Sequence, residues 1–411
     1  MGSYPHCNVL AICHWGLNEG LVKAYVIPYL RMIASASPSS LLFLASEEKQ
    51  GRNLFNWPSE LPLPEVPRLV AIPFSYRRFG PVKIVFQSIK LVYLLLLIRK
   101  RKIRVIHTFC SPSGVEGFLL KKLTSCKFVV DSYEPHSEYM CEGGAWSRSG
   151  AAYKLLKFFE VRQVLDADAL IVASRFVPDF YMQVHKRPLG SYLVKPACVD
   201  MEVFTYDREF RDSYRSHMGH QHKIVGIYVG KIGDFYLSDE IFEYIRCAID
   251  FWGDNFHFIF LSPGYEETIG ENLFQLKIPN NYVTITAAQH ESVAKYLSAA
   301  DFAFSGYKPG PSKRCCTPIK NGEYWSVGLP VVIPSDISVD SDIIDRDGIG
   351  YVLRSLDPSE YYNSFVTLSG FLSCDRTAMR MKIREVARRE RGLQLACAVY
   401  DSIYPSIFES P

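Results

Sequence analysis

Apolar runs of strand length alternate with helix-length segments along this whole chain. That alternation points to parallel β-sheets covered by helices on both faces. In the first half, strands are expected at 8–13, 41–45, 69–72, 105–107, 127–131 and 169–172, with helices between them, for example 20–34, 82–101 and 153–166. A second series begins at Lys223, with strands at 224–229, 256–261, 283–285, 302–304 and 331–333. Its helices are expected at 238–251, 291–300, 318–327 and 376–391, and another helical stretch follows at 393–404. At 411 residues the chain exceeds one ordinary core. The reading is two Rossmann-like α/β domains in tandem, at 1–195 and 196–390, and a C-terminal helix at 391–411. The joint near 195–222 carries His217, His220 and His222 without matching Cys or carboxylates, so a solvated linker is expected there rather than a metal site.

Several function classes drop out early. The 11 cysteines include no C-x-x-C pair, which fits free thiols in a reducing compartment. The apolar run at 9–13 lacks a basic flank and is too short for a signal peptide, so a cytoplasmic protein is expected. The first βα loop holds Gly16 and Gly20 spaced G-x-x-x-G, which lacks the dinucleotide fingerprint and argues against a nicotinamide or flavin enzyme.

Charge is unevenly placed. The segment 77–104 has nine Lys or Arg and no Asp or Glu, and it encloses the apolar run LVYLLLLI at 91–98. Such a run is far short of the roughly 20 residues that cross a bilayer. It reads either as a buried helix with a solvated basic end or as an element resting on an anionic membrane face at the inner side of the cell membrane; peripheral contact is the expectation. Nucleic acid is not expected, because the cations alternate with aliphatic rather than stacking aromatic residues.

Four places carry candidate chemistry. The segment TPIKNGEYWSVGLPVVI at 317–333 puts Lys320 and Glu323 on one face of a helix start, where they can address one ligand. Gly230, Lys231 and Gly233 follow the first strand of the second series, a good place for a point charge on phosphate; no Ser or Thr follows the Lys, so this is not an ATP P-loop. Asp131, Glu134, His136 and Glu138 lie at or past a strand's C-terminal end and offer an acid, a base and acceptors for sugar hydroxyls. The alternative there is a turn with solvated acids. The loop at 289–292 is placed to border a nucleobase, and the loop at 306–314 adds Lys308, Lys313 and Arg314 near the anion site.

Together these residues resemble glycosyltransferases of the GT-B fold, similar to the retaining family-4 enzymes. The string PIKNGEYWSVGLPV resembles that family's P-x-K-x-x-E-Y-x-x-x-G-x-P-V variant, with HESVAKYLSAAD at 290–301 ahead of it and DGIGY at 347–351 behind. The resemblance covers most of the chain and is strongest over 223–353. It implies an inter-domain cleft, a C-terminal helix crossing back to the first domain, a nucleotide-sugar donor on the second domain and an acceptor on the first. Glu323 would take the ribose, Lys231 the diphosphate, and Gly16 would mark the glycine loop facing that diphosphate. Glu134 and His136 are the catalytic candidates. No cofactor and no metal are expected; a UDP- or GDP-sugar would be the substrate, and a lipid-linked glycan of cell-envelope or exopolysaccharide assembly the acceptor. The chain departs from the family in three places. DFYLS at 234–238 lacks the second basic residue, for which Lys320 is the substitute; KRCC at 313–316 stands where many members have Glu; and Tyr133 stands where a His is usual. A GT-B phosphorylase or epimerase, a catalytically silent assembly partner and a membrane-surface module stay open.

Overall fold

The computed structural model describes residues 7–36, 40–48, 60–75 and 81–409. Arg77 and Arg78, which open the basic segment, lie outside the described residues. Contacts divide the chain into two units: Met1–Cys141, Trp146–Pro196 and Gln394–Pro411 form the first, and Glu142–Ala145 with Ala197–Leu393 the second.

The first unit begins with β1 (Asn8–Ile12), then a π-turn at Val22–Val26 that runs into α1 (Ile27–Ala36). Next come β2 (Leu42–Glu48), β3 (Leu61–Pro62), β4 (Leu69–Ser75), α2 (Pro81–Lys100), β5 (Ile103–Phe109) and α3 (Cys110–Leu123). The unit continues with β6 (Lys127–Tyr133), α4 (His136–Glu142), α5 (Ala151–Asp166), β7 (Ala169–Val172), α6 (Val177–His185) and β8 (Leu193–Val194). The sheet order is β3-β4-β2-β1-β5-β6-β7-β8, parallel except for the short β3. Chain order reverses at β1/β5, which makes that pair the switch point.

The second unit holds α7 (Arg208–His217), β9 (Ile224–Val229), α8 (Asp239–Trp252), β10 (Phe256–Leu261), α9 (Glu266–Gln275), β11 (Val283–Thr286) and α10 (Val293–Ala299). It goes on with β12 (Phe302–Phe304), α11 (Ile319–Val327), β13 (Val331–Pro334), α12 (Asp340–Asp347), β14 (Gly350–Leu353), α13 (Pro358–Ser373) and α14 (Arg376–Arg391). Its sheet is β11-β10-β9-β12-β13-β14, and its switch point is β9/β12. Strands buried on both faces read as unbroken apolar runs, as β10 does with all six residues buried. One face of β9 and β13 packs Val225, Ile227, Val331 and Ile333 against Tyr324, Trp325 and Ile383. The other face joins Tyr228, Phe258, Phe302 and Val332 to Phe242, Tyr244 and Phe365 of α8 and α13.

The last helix, α15 (Leu393–Glu409), packs into the first unit. Its Tyr400 hydroxyl donates to Asp131 at 2.6 Å, and its Tyr404 hydroxyl lies 2.9 Å from His107 Nδ1. Asp131 also meets Lys195 at 3.2 Å and His107 at 3.1 Å, all three fully buried.

The joint at 195–222 is not a solvated linker. Its α7 starts on an Asp207 cap, which accepts from the Phe210 N–H at 2.9 Å. Arg211 and Arg215 from the same helix hold the buried Asp301 at 2.6 and 2.5 Å. His220 is buried and packs against His257 with ring centroids 3.8 Å apart and the planes tilted by 35°. The polar run conceals an apolar contact that only the fold brings together. No helix among the described residues is long and apolar enough to cross a membrane.

Candidate functional site

In open α/β sheets, ligands sit beyond the carboxyl ends of the strands at the switch point. In the second unit the segment leaving β9 turns through Gly230 at φ +146° and Gly233 at φ +79°, conformations that favour glycine. Lys231, between them, is exposed and makes no ion pair among the described residues. The Tyr228 hydroxyl donates to the Lys231 carbonyl, and the Leu237 N–H donates to the Gly306 carbonyl at 2.7 Å. The loops after β9 and β12 are therefore stitched together beside the switch point.

Helix α11 forms one wall. It ends at Gly328 in the left-handed region, φ +86°, whose N–H closes on the carbonyl of Trp325 at 3.0 Å. Glu323 is fully buried. Its Oε2 accepts from Lys320 Nζ at 2.8 Å, and its Oε1 lies 3.8 Å from His290 Nε2. Among the described residues, neither Glu323 Oε1 nor His290 Nε2 has a hydrogen-bond partner. Burial alone would push the Glu323 carboxyl up, but Lys320 and His290 outweigh it and hold the group below its ordinary range, so it is ionised. The loop expected to border a nucleobase thus supplies His290 beside Glu323.

Three cations near this wall are engaged within the second unit. Lys320 and Glu323 do share a face, and they bind each other, so Lys320 balances the charge of the buried carboxylate. Arg314 is paired with Asp336 and, at 3.2 Å, with Asp342. Lys313 is buried with its ammonium 5.1 Å from the Phe235 ring centre.

In the first unit the four-residue cluster past β6 separates. Asp131 is sealed in the core beneath α15, and Glu138 is buried against Tyr153 at 2.5 Å and Lys157 at 2.9 Å. Both serve the fold. Glu134 and His136 remain together, with Glu134 Oε1 3.4 Å from His136 Nδ1 and each about one-quarter exposed. The loop with Gly16 carries a resident anion: the Leu17 N–H donates to Glu48 Oε1 at 2.8 Å, and a Cβ at position 16 would lie 2.6 Å from Glu48 Oε2. The missing Cβ at Gly16 leaves room for that carboxylate.

A second His–Glu pair escapes sequence reading. His14, just past β1, lies 3.0 Å through Nδ1 from Glu47 Oε2, whose side chain is 2% exposed against 27% for the imidazole. Glu47 Oε1 accepts from Lys90 at 2.8 Å and Gln87 at 3.0 Å, and Lys90 also donates to Glu116 Oε1 at 2.9 Å. Burial pushes the His14 imidazole down, but the charge of Glu47 outweighs it, and the net shift is upward. His14, Glu47 and Glu116 offer ligand atoms within 4.8 Å of one another. The Lys90 ammonium already bridges the two carboxylates, however, and a dication there would face a fixed positive charge. The four residues come from four elements, and no local spacing announces them.

No family model and no curated protein matches this chain. Solved structures match it over nearly its full length. Sucrose-phosphate synthase from Thermosynechococcus elongatus aligns at 14% identity over 98% of this chain and 99% of its own, with a TM-score of 0.71. A glycosyltransferase from Rickettsia africae gives 12% identity, 99% and 100% coverage and a TM-score of 0.70. HepE of Anabaena in complex with UDP-glucose gives 11%, 98% and 100%, and 0.69. At such identities the likeness is one of fold: two parallel α/β domains of the GT-B type.

Proposed function

We propose that this protein is a glycosyltransferase that takes a sugar from a nucleotide diphosphate sugar and passes it to an acceptor hydroxyl, with the nucleotide on the second unit. The observation that carries the reading is Glu323 Oε1, a buried, ionised acceptor without a donor among the described residues, beside His290 Nε2, which has no partner among them either. An unsatisfied buried polar group costs on the order of 1–3 kcal/mol. A vicinal diol, as in a ribose, supplies partners to both atoms at once. Lys231 then serves the diphosphate, where a cation stabilises the charge that develops as the leaving group departs. Glu134 and His136 hold sugar hydroxyls on the first unit. HepE was solved with UDP and with UDP-glucose, which makes uridine nucleotides the first probes and GDP the second.

Calorimetric titration of UDP, GDP, ADP and CMP into the wild type and Glu323→Gln tests this. One diphosphate should bind, and the variant should lose roughly 10-fold or more in affinity, the size of a hydrogen bond to a charged group. Absence of binding by every nucleotide and nucleotide sugar overturns the reading.

A lipid-linked acceptor, as in cell-envelope or exopolysaccharide assembly, is the substrate class we assign, because α2 presents a surface suited to an anionic membrane. Val85, Ile89, Val92 and Leu96 are exposed at spacings that line up on one helix face, and Arg99 and Lys100 are exposed at its end. Lys90 is excluded from that surface, since it is buried with Glu47 and Glu116.

A further inference from the structure

We infer that Arg376 and Arg380 form a binding site for the phosphate group of a small soluble ligand, at the amino edge of the second unit's sheet. The site lies apart from the nucleotide site proposed above and does not depend on that reading. Its anchor is Asp301, which precedes β12 and accepts the N–H of Val225, near the start of β9, at 2.9 Å. Gly230 and Lys231 leave the other end of that six-residue strand. Strand rise puts roughly 20 Å between the two edges, so a phosphate at Lys231 is not the ligand of these arginines.

Four guanidinium groups share the field of this one carboxylate. Arg211 and Arg215 hold it at 2.6 and 2.5 Å and donate otherwise to the carbonyls of Ser298, Ala299, Ala300 and Lys223. Both are buried and serve the fold. Arg376 meets Asp301 Oδ1 at 3.1 Å from a side chain 46% exposed, and its Nη2 has no partner among the described residues. Arg380, one turn further along α14, forms no hydrogen bond or ion pair among the described residues. Its guanidinium lies 3.8 Å from the Tyr206 ring centre and is partly exposed.

Other acids do not balance this charge. Asp375 caps α14 through the N–H groups of Thr377 and Ala378, Asp207 caps α7, and Asp212 faces Arg208. Arg384 donates to the carbonyls of Ser326 and Phe204 and meets no carboxylate among the described residues. Arg376, Arg380 and Arg384 follow at four-residue spacing, so one face of α14 carries three cations for a single shared acid. Burial, and repulsion from Arg211 and Arg376, hold the Arg380 guanidinium below its ordinary range, a strain that a bound anion relieves. Two neighbouring guanidiniums with unengaged N–H groups suit paired bonds to phosphate oxygens. The Arg380 stem is fixed, since a Cβ at Gly328 would lie 2.9 Å from its Cβ. A head held between Tyr206 and Gly328 suits a small ion rather than a membrane surface.

Calorimetric titration of inorganic phosphate into the full chain, at constant ionic strength in chloride, tests the site. One ion should bind, and glycerol 3-phosphate should compete with it. Arg376→Gln and Arg380→Gln should each weaken phosphate about 10-fold or more, the size of a charged hydrogen bond, while Arg380→Lys, which keeps the charge but not the fork, should fall between. Should Arg380→Gln fail to fold, Arg376→Gln still decides, because Asp301 keeps Arg211 and Arg215. Lys231→Ala should leave phosphate affinity unchanged. A wild type that ignores millimolar phosphate, or loses it with Lys231→Ala and with neither arginine variant, overturns the inference. So does an Arg376→Gln protein that binds phosphate and glycerol 3-phosphate normally but is lost from phosphatidic acid vesicles, since the ligand would then be a lipid headgroup. Absence of nucleotide binding strikes the donor reading alone.

Discussion

The Tyr324 hydroxyl accepts the backbone N–H of Val229 at 3.1 Å. The helix that carries Glu323 is thereby tied to the strand end that delivers Lys231. Tyr324→Phe leaves that buried N–H without its hydroxyl partner, at a cost of about 1–3 kcal/mol. Urea unfolding should show this loss, and UDP affinity should drop several-fold because the two ligand-bearing elements are no longer fixed to each other. Unchanged affinity in a destabilised variant would mean that the tie serves only the fold.

Lys231 and Lys320 should separate by ligand. Lys231→Ala is expected to weaken UDP about 10- to 100-fold, as loss of a charge-assisted contact does, and to leave uridine untouched. Lys320→Ala should weaken uridine and UDP alike, because its partner is Glu323 and not a phosphate. Its effect should also depend on pH. The Glu323 carboxyl is held below its ordinary range, so its ionised form persists as pH falls through the unfolded value and is lost only at the lower folded one. Without Lys320 that protonation moves up, and binding should fail at a higher pH than in wild type. Isothermal titration between pH 4 and 7 reads both effects.

Acid should loosen the second unit through its paired histidines His220 and His257. Burial first, and neighbouring cationic groups second, bring His220 down to about 4 and His257 to about 3. Both rings are neutral when folded, while the unfolded chain takes up protons below pH ~6.5. Stability is therefore complete well above that pH and declines as pH falls from 6.5 toward 4. Denaturant midpoints across this window should slope accordingly, and His257→Asn should flatten the slope. An equal slope in the variant would place the acid sensitivity elsewhere.

Vesicle binding should follow the exposed end of α2. Sedimentation with vesicles rich in phosphatidylglycerol is expected to carry the wild type down at low salt and to lose it with Arg99→Glu and Lys100→Glu together. Neutral phosphatidylcholine vesicles should recover little of either protein. Equal recovery of the double variant on anionic vesicles removes the membrane assignment.

The alternation of apolar runs made both sheets legible, and β7, β9, β10 and β12 fall on their expected residues. The two-residue strands β3 and β8 are too short to leave a pattern. Lys320 and Glu323 were readable as one face because helix spacing is local. Their mutual ion pair was not, since it depends on Glu323 being buried, which distant packing decides. Asp131 carried a misleading signal: a polar residue at a strand's end ordinarily faces a ligand, but here α15 covers it. His14 and Glu47 belong to neighbouring strands with no regular spacing between them, so nothing short of the sheet order joins them.

The tie between Asp131 and Tyr400 spans 269 positions. A nascent chain emerging from the ribosome exposes Asp131, His107 and Lys195 long before the helix that covers them exists. The second unit, whose residues lie between, has its whole sequence available first. Synthesis thus orders assembly: the first unit waits half-closed, with a buried-type charge cluster open to water, while the second completes itself. A stalled or prematurely released chain would display that cluster and the apolar surface around it, a ready mark for chaperones and proteases.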